Sequence, residues 1–204
     1  MFQDLEERYY IGIDPGNSGA WAVINAKGRL LHVADMPLTQ DTEKKQKIDA
    51  QYLYQTMSDY CDDLTPTKVI LERVQAMPGG GTASGMPSQG IASTFTFGKA
   101  AGLIEATAII AFGEDNLSKV TPQAWKKRFD LTKGSKKLAV AALHGRSDAQ
   151  GERNFSATKK LASVLEARAL FPEWEKVFIV SKDGRAEATL MAYLLYIDSQ
   201  GKKV

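Results

Sequence analysis

Cysteine is almost absent: Cys61 is the one thiol in 204 residues. No intramolecular disulfide and no cysteine-based zinc cage can be built from it, and a reducing, intracellular setting is the expectation that follows. Histidine is nearly as scarce, with only His32 and His144, which leaves little room for catalysis centred on imidazole. No run of 18 apolar residues is free of charge, so no membrane span is expected. The opening MFQDLEERYY is acidic and lacks an apolar stretch. It has the features of neither a signal peptide nor an Arg- and Ser-rich transit peptide.

What is present is ordinary in bulk and uneven in detail. The apolar fraction is 44% and the charged fraction 25%, as in soluble globular proteins, and the length suits a single domain over 1–204. The net charge of +2 hides a division, because residues 119–160 hold eleven Lys and Arg against three acids. A local basic field on a nearly neutral chain suits a polyanion partner, although a solvated lysine-rich face gives the same counts.

Residues 9–14, YYIGID, read as a buried strand ending in an acid. The turn PGNSG follows, then two strands joined at Lys27-Gly28, and then a polar loop over 39–47. Asp49 can cap a helix with apolar positions Leu53, Met57, Tyr60, Cys61 and Leu64, ended by Pro66. KVILE at 68–72 is a second buried strand ending in an acid. Residues 76–90 are rich in Gly, Ser and Pro and read as a loop. A long buried helix is expected over 91–112, where Gly98, Ala101 and Gly102 would let another backbone approach. A short strand at 117–121 leads to a helix opened by Thr121-Pro122. Residues 132–158 are basic and weakly periodic; 159–170 are helical, VFIVS at 177–181 a strand, and Asp183 to Asp198 a last helix. This alternation argues an α/β fold with a mixed sheet.

The chemistry is carried by carboxylates. Asp14 and Glu72 end buried strands, and Asp183 and Glu187 share one face at the start of the last helix through their i, i+4 spacing. Each has a plainer use: Asp14 as a turn former, Asp183 and Glu187 as helix charges. Glu72, closing the run Val69-Ile70-Leu71, is the costliest to bury without a partner. Four carboxylates brought together repel unless cations lie between them. Oxygen ligands without Cys or His suit Mg²⁺ or Mn²⁺, and two such ions support phosphodiester hydrolysis.

The chain resembles RuvC-like Holliday junction resolvases of the RNase H-like superfamily, closest to the phage-type and chloroplast-type branch. The matching blocks are IGIDPGNSGAWAVI (11–24), VILERVQAMPG (69–79), STFTFGKAAGLIEA (93–106), VTPQAWKK (120–127), KKLASVLEARALFP (159–172) and KDGRAEATLMAYLL (182–195). The resemblance implies an RNase H-like fold, with a mixed five-stranded sheet flanked by helices, in one nuclease domain. It implies a crossover junction endodeoxyribonuclease that resolves four-way DNA junctions by paired symmetric nicks with two Mg²⁺ or Mn²⁺ ions per site. Asp14 would bridge both ions, Glu72 would bind one, and Asp183 and Glu187 would complete the set. In the bacterial resolvases the last two acids are both Asp and three apart; here they are four apart and the second is Glu.

The resemblance further implies DNA contacts. Lys126, Lys127, Arg128 and Lys160 are candidates for phosphate contact, and Lys182 and Arg185 either meet the scissile phosphate or offset local negative charge. The loop at 76–90 and the basic segment at 132–158 look like insertions. Met77, Met86 or Phe95 would wedge between bases at the junction, unless Phe95 is core and the methionines only cover the loop. Trp125 is expected in the core rather than as a base-stacking platform. Symmetric nicking requires two sites facing opposed strands, hence a homodimer, with the helix at 91–113 as dimer element or simply packed on the sheet. No nucleotide cofactor and no membrane are expected, and the location would be the cytoplasm of a bacterial or phage-infected cell. Other branched DNA or RNA substrates, or a junction-binding protein without activity, are the alternatives. An ATPase of the sugar-kinase type would need two copies of the fold, for which 204 residues leave no room.

Overall fold

The computed structural model describes residues 8–60, 67–74, 90–132 and 149–201, and for Ile91 and residues 149–159 the backbone alone. Cys61, Leu64, Met77, Met86, nearly all of the loop at 76–90 and residues 133–148 of the basic segment lie outside the described residues.

Strands β1 (Tyr9–Asp14), β2 (Ala20–Asn25) and β3 (Leu30–Asp35) form an antiparallel meander. β4 (Leu38–Gln40) and β5 (Gln46–Ile48) make a separate two-stranded ribbon, and β6 (Lys68–Glu72) and β7 (Leu117–Val120) extend the main sheet. The helices are α1 (Ala50–Ser58), α2 (Ile91–Phe112), α3 (Pro122–Arg128), α4 (Ala149–Leu170) and α5 (Asp183–Ser199). The main sheet has the order β3-β2-β1-β6-β7, with β6 parallel to both β1 and β7. The protein is therefore α/β with a mixed five-stranded sheet, and only β2 runs against the other four.

Side chains alternate across this sheet, so each strand feeds two cores. Ile11, Ile13, Trp21, Val23, Val69 and Leu71 pack with Leu53 and Met57 of α1 and Ile104 and Ala108 of α2. Tyr10, Ala22, Ile24 and Ile70 pack on the other face with Trp125 of α3, Val164 and Ala167 of α4, and the buried side of α5. Helix α5 lies directly on β1 because Gly12 has no side chain: a Cβ there would stand 2.0 Å from the Ala188 carbonyl oxygen and 2.5 Å from the Ala192 nitrogen.

Several local expectations hold. Asn25 accepts hydrogen bonds from the Lys27 and Arg29 amides, and Gly28 adopts φ +77° at the turn between β2 and β3. The Asp49 carboxylate accepts the Tyr52 amide at 3.0 Å, and the Thr121 hydroxyl accepts that of Ala124 at 3.3 Å, each capping its helix.

Three expectations fail. VFIVS forms no strand: Pro172–Val177 and Val180–Lys182 are 3₁₀ turns. The Phe178 carbonyl takes two hydrogen bonds from the Arg168 guanidinium, at 2.6 and 3.0 Å, and the Lys182 amide turns back to the Ile179 carbonyl. With those groups satisfied locally, the segment has no need of a sheet partner. The polar stretch at 39–47 is a ribbon rather than a loop, its turn organised by the Asp41 carboxylate accepting the Glu43 and Lys45 amides. α4 is already helical at Ala149, the first described residue of its segment and ten residues before the expected start. Among the described helices, α2 is long and apolar enough to cross a membrane by length and composition. It also carries Lys99 and Glu105, and Ile104, Ala108, Ala111 and Phe112 are buried within the core on one face of the sheet.

Candidate metal centre

Because β1, β3, β6 and β7 share one direction, their C-terminal ends share one edge of the sheet. Open sheets with parallel strands place ligands outside this edge. Asp14, Asp35 and Glu72 end β1, β3 and β6 there. In the parallel register Ile13 stands beside Leu71, so Asp14 and Glu72 come next to each other one step on. α5 starts at the same edge and brings Asp183 in its first turn and Glu187 one turn later. Gly184 leaves space for this meeting, since a Cβ on it would stand 2.7 Å from Asp14 Oδ2.

Asp14, Glu72 and Glu187 converge, each offering one oxygen, with the three oxygens within 4.8 Å of one another. Asp14 and Glu72 are partly buried and Glu187 is buried. This is a donor set of hard oxygens drawn from three elements, and it can hold a metal ion. Asp183 stands just outside the triad, its carboxylate 2.9 Å from Lys160 Nζ.

The electrostatics reflect crowding. The Asp14 carboxyl is held well above its ordinary 3.8, first by burial, then by Glu187, Glu72 and Asp183, with Lys126 opposing. Glu72 is also raised by burial and by Glu187, while a hydrogen bond from Trp125 and the charge of Lys126 pull it back. These are carboxylates kept close at a cost that a divalent cation would relieve.

α3 supplies the supports. Trp125 is fully buried, as expected of a core residue, but its indole Nε1 also donates to Glu72 Oε2 at 2.6 Å. Lys126 Nζ lies 2.7 Å from Glu187 Oε1, the same oxygen that accepts the Ser163 hydroxyl at 3.1 Å. Adjacent residues of one short helix thus hold the two glutamates. Beside Glu72, on the α2 side, a cavity of about 140 Å³ opens between Pro15, Arg73, Ala101, Glu105 and Lys119.

The other sequence candidates are placed as follows. Lys182 and Arg185 both engage Asp35, Lys182 at 2.9 Å and Arg185 through two hydrogen bonds of 2.7 and 3.0 Å. Arg128 is bridged to Asp198, eleven positions beyond Glu187 on α5 and so about 16 Å further along the helix. Lys127 is exposed. Phe95 is 74% exposed rather than core. Asp35, Ser163 and the donor role of Trp125 were not foreseen. Asp35 carries a signal in the sequence, as it is a third acid ending an apolar strand, whereas Ser163 carries none.

No known family model matches this chain, and no curated protein matches it in sequence.

Proposed function

We propose that this protein is a metal-dependent endodeoxyribonuclease with an RNase H-like fold, acting on four-way DNA junctions in recombination and repair. The observation that carries this reading is the convergence of Asp14, Glu72 and Glu187 within 4.8 Å at the C-terminal edge of the sheet, without a cysteine or histidine among them. That donor set fits Mg²⁺ or Mn²⁺, and the proximity of Asp183 leaves a fourth carboxylate for a second ion. When bound, such ions supply Lewis-acid activation of water and stabilisation of the leaving oxygen of a phosphodiester.

The chain's own residues do the rest. Trp125 and Ser163 orient Glu72 and Glu187 through donated hydrogen bonds. Arg185 and Lys182 anchor the start of α5 on Asp35 and so fix where Asp183 and Glu187 stand. Lys127 and Lys160, exposed on the same side of the fold as α3 and α5, are placed to meet backbone phosphates, which position a duplex without reading its sequence.

The reading includes a homodimer, since paired nicks in opposed strands require two sites. α2 offers the surface. Its buried stripe runs through Ile104, Ala108 and Ala111, and the opposite stripe exposes Phe95, Leu103 and Ile110. Gly98 and Gly102 on that stripe have nothing within 4 Å of a built Cβ, so another helix can approach closely.

The reading is tested by comparing cleavage of a four-way junction, a flap, a linear duplex and an RNA–DNA hybrid in Mn²⁺. Preferential cutting of the junction supports it. Preferential cutting of flaps or hybrids replaces the substrate, and tight junction binding without cutting in any divalent metal replaces the nuclease by a binding protein.

A further inference from the structure

The acidic cluster already holds a cation, and that cation belongs to the chain. Lys126 Nζ lies 2.7 Å from Glu187 Oε1 with its side chain only 26% exposed. Its charge is felt by Asp14 and Glu72 as well. It therefore acts on every member of the triad. The ammonium also lies over the ring of the buried Trp125, 5.0 Å from its centroid, a contact favourable to a partly desolvated cation. Lys160 occupies a comparable place on Asp183 at 2.9 Å, but it is 47% exposed and its acid lies outside the triad.

Four acids against these two lysines leave an excess of negative charge, which keeps the cluster attractive to a divalent ion. Such an ion needs Glu187, and so does Lys126. We propose that Lys126 is a resident counter-cation of the triad: its ammonium takes Glu187 in the metal-free protein and is displaced when a divalent ion binds. The inference rests on the metal-centre reading and assigns Lys126 as a positioning residue. Without metal it keeps three mutually repelling carboxylates in place. With metal, the released ammonium is free for a phosphate oxygen.

The consequence is a competition that can be measured without any nuclease assay. Mn²⁺ binding to the whole protein is followed by calorimetry, and thermal unfolding is followed in EDTA and in Mn²⁺. Lys126→Met removes the competing charge and should bind Mn²⁺ about tenfold more tightly than wild type, as expected when a partly buried ion pair no longer has to be broken. In EDTA the same variant should melt below wild type, and its rise in melting temperature on adding Mn²⁺ should be the larger. Lys126→Gln, neutral but still a hydrogen-bond donor, is measured beside it so that the result does not hang on one variant's folding. Lys126→Arg keeps the charge and should stay within about threefold of wild type. Lys160→Met should tighten binding less than Lys126→Met.

Equal or weaker Mn²⁺ binding by both neutral variants, with wild type binding the ion, overturns the proposal and leaves the metal centre intact. Absence of Mn²⁺ binding by wild type and variants alike overturns the metal centre itself, and the proposal with it.

Discussion

Replacing Asp14 by Asn should make the metal-free protein more stable while removing the proposed nuclease activity. The substitution keeps the side chain's shape and removes one charge from a cluster whose oxygens lie within 4.8 Å of one another. At an effective dielectric of about 20, each such carboxylate pair repels by at least about 3 kcal/mol. Lys126, 2.7 Å from Glu187, offsets part of this. A net gain of about 2 kcal/mol at neutral pH is then expected, or about 4–8 °C in melting temperature for a chain of this size.

The pH dependence follows from the direction of the shifts. Asp14 and Glu72 are raised in the folded protein above their ordinary 3.8 and 4.5. Their ionisation therefore opposes folding, fully so above the raised values, and the cost fades as pH falls through those values toward the ordinary ones. Wild type in EDTA should gain stability on acidification through that window, and the lead of Asp14→Asn should shrink in step. Thermal unfolding in EDTA at about pH 8 and about pH 5 measures both effects. A variant that melts at or below wild type at the higher pH, or a gap that does not change with pH, would show that repulsion within the triad does not oppose folding.

Other perturbations separate fold from site. Trp125→Phe removes the indole donor to Glu72 and should cost about 1–3 kcal/mol in denaturant unfolding, with weaker Mn²⁺ binding in the same protein. Gly12→Ala drives a Cβ into the backbone of α5 at 2.0 Å and should abolish folding, read as loss of soluble protein with native circular dichroism. Gly184→Ala meets the movable end of Asp14 at 2.7 Å but also the Ser18 carbonyl at 3.1 Å; it should retain a cooperative melt yet lose Mn²⁺ affinity by calorimetry. Ile110→Glu, on the exposed stripe of α2, should shift the protein from dimer to monomer in sedimentation velocity with little change in melting temperature.

The sequence revealed the site more fully than the elements around it. Two apolar strands that end in acids are legible because burying a carboxylate requires a reason, and the i, i+4 pair of Asp183 and Glu187 is legible from helical geometry. Asp35 obeys the same rule as Asp14 and Glu72 and could have been read the same way. That Glu187 joins the triad while Asp183 stands with Lys160 depends on the rotation of α5 over β1, which Gly12 and Gly184 permit and no spacing rule specifies. VFIVS misleads because β-branched and aromatic composition describes a half-buried surface rather than a hydrogen-bond partner, and here Arg168 takes the carbonyl a strand would need. The intramolecular partners of the candidate phosphate contacts are likewise not legible in the sequence. Lys126, Arg128, Lys160, Lys182 and Arg185 are each bound to a carboxylate of the same chain, partners that lie far off in sequence.

In the proposed function, Asp14, Glu72 and Glu187 form a metal centre that cuts branched DNA. The most direct test is a nicking assay on a branch-migratable four-way junction with Mg²⁺, Mn²⁺ or EDTA, using wild type and Asp14→Asn. Paired nicks in opposed strands are expected with either metal and none in EDTA, with junction binding but no nicking by Asp14→Asn. Nicking that persists in EDTA or in Asp14→Asn, or an intact junction in both metals, would contradict the proposed function.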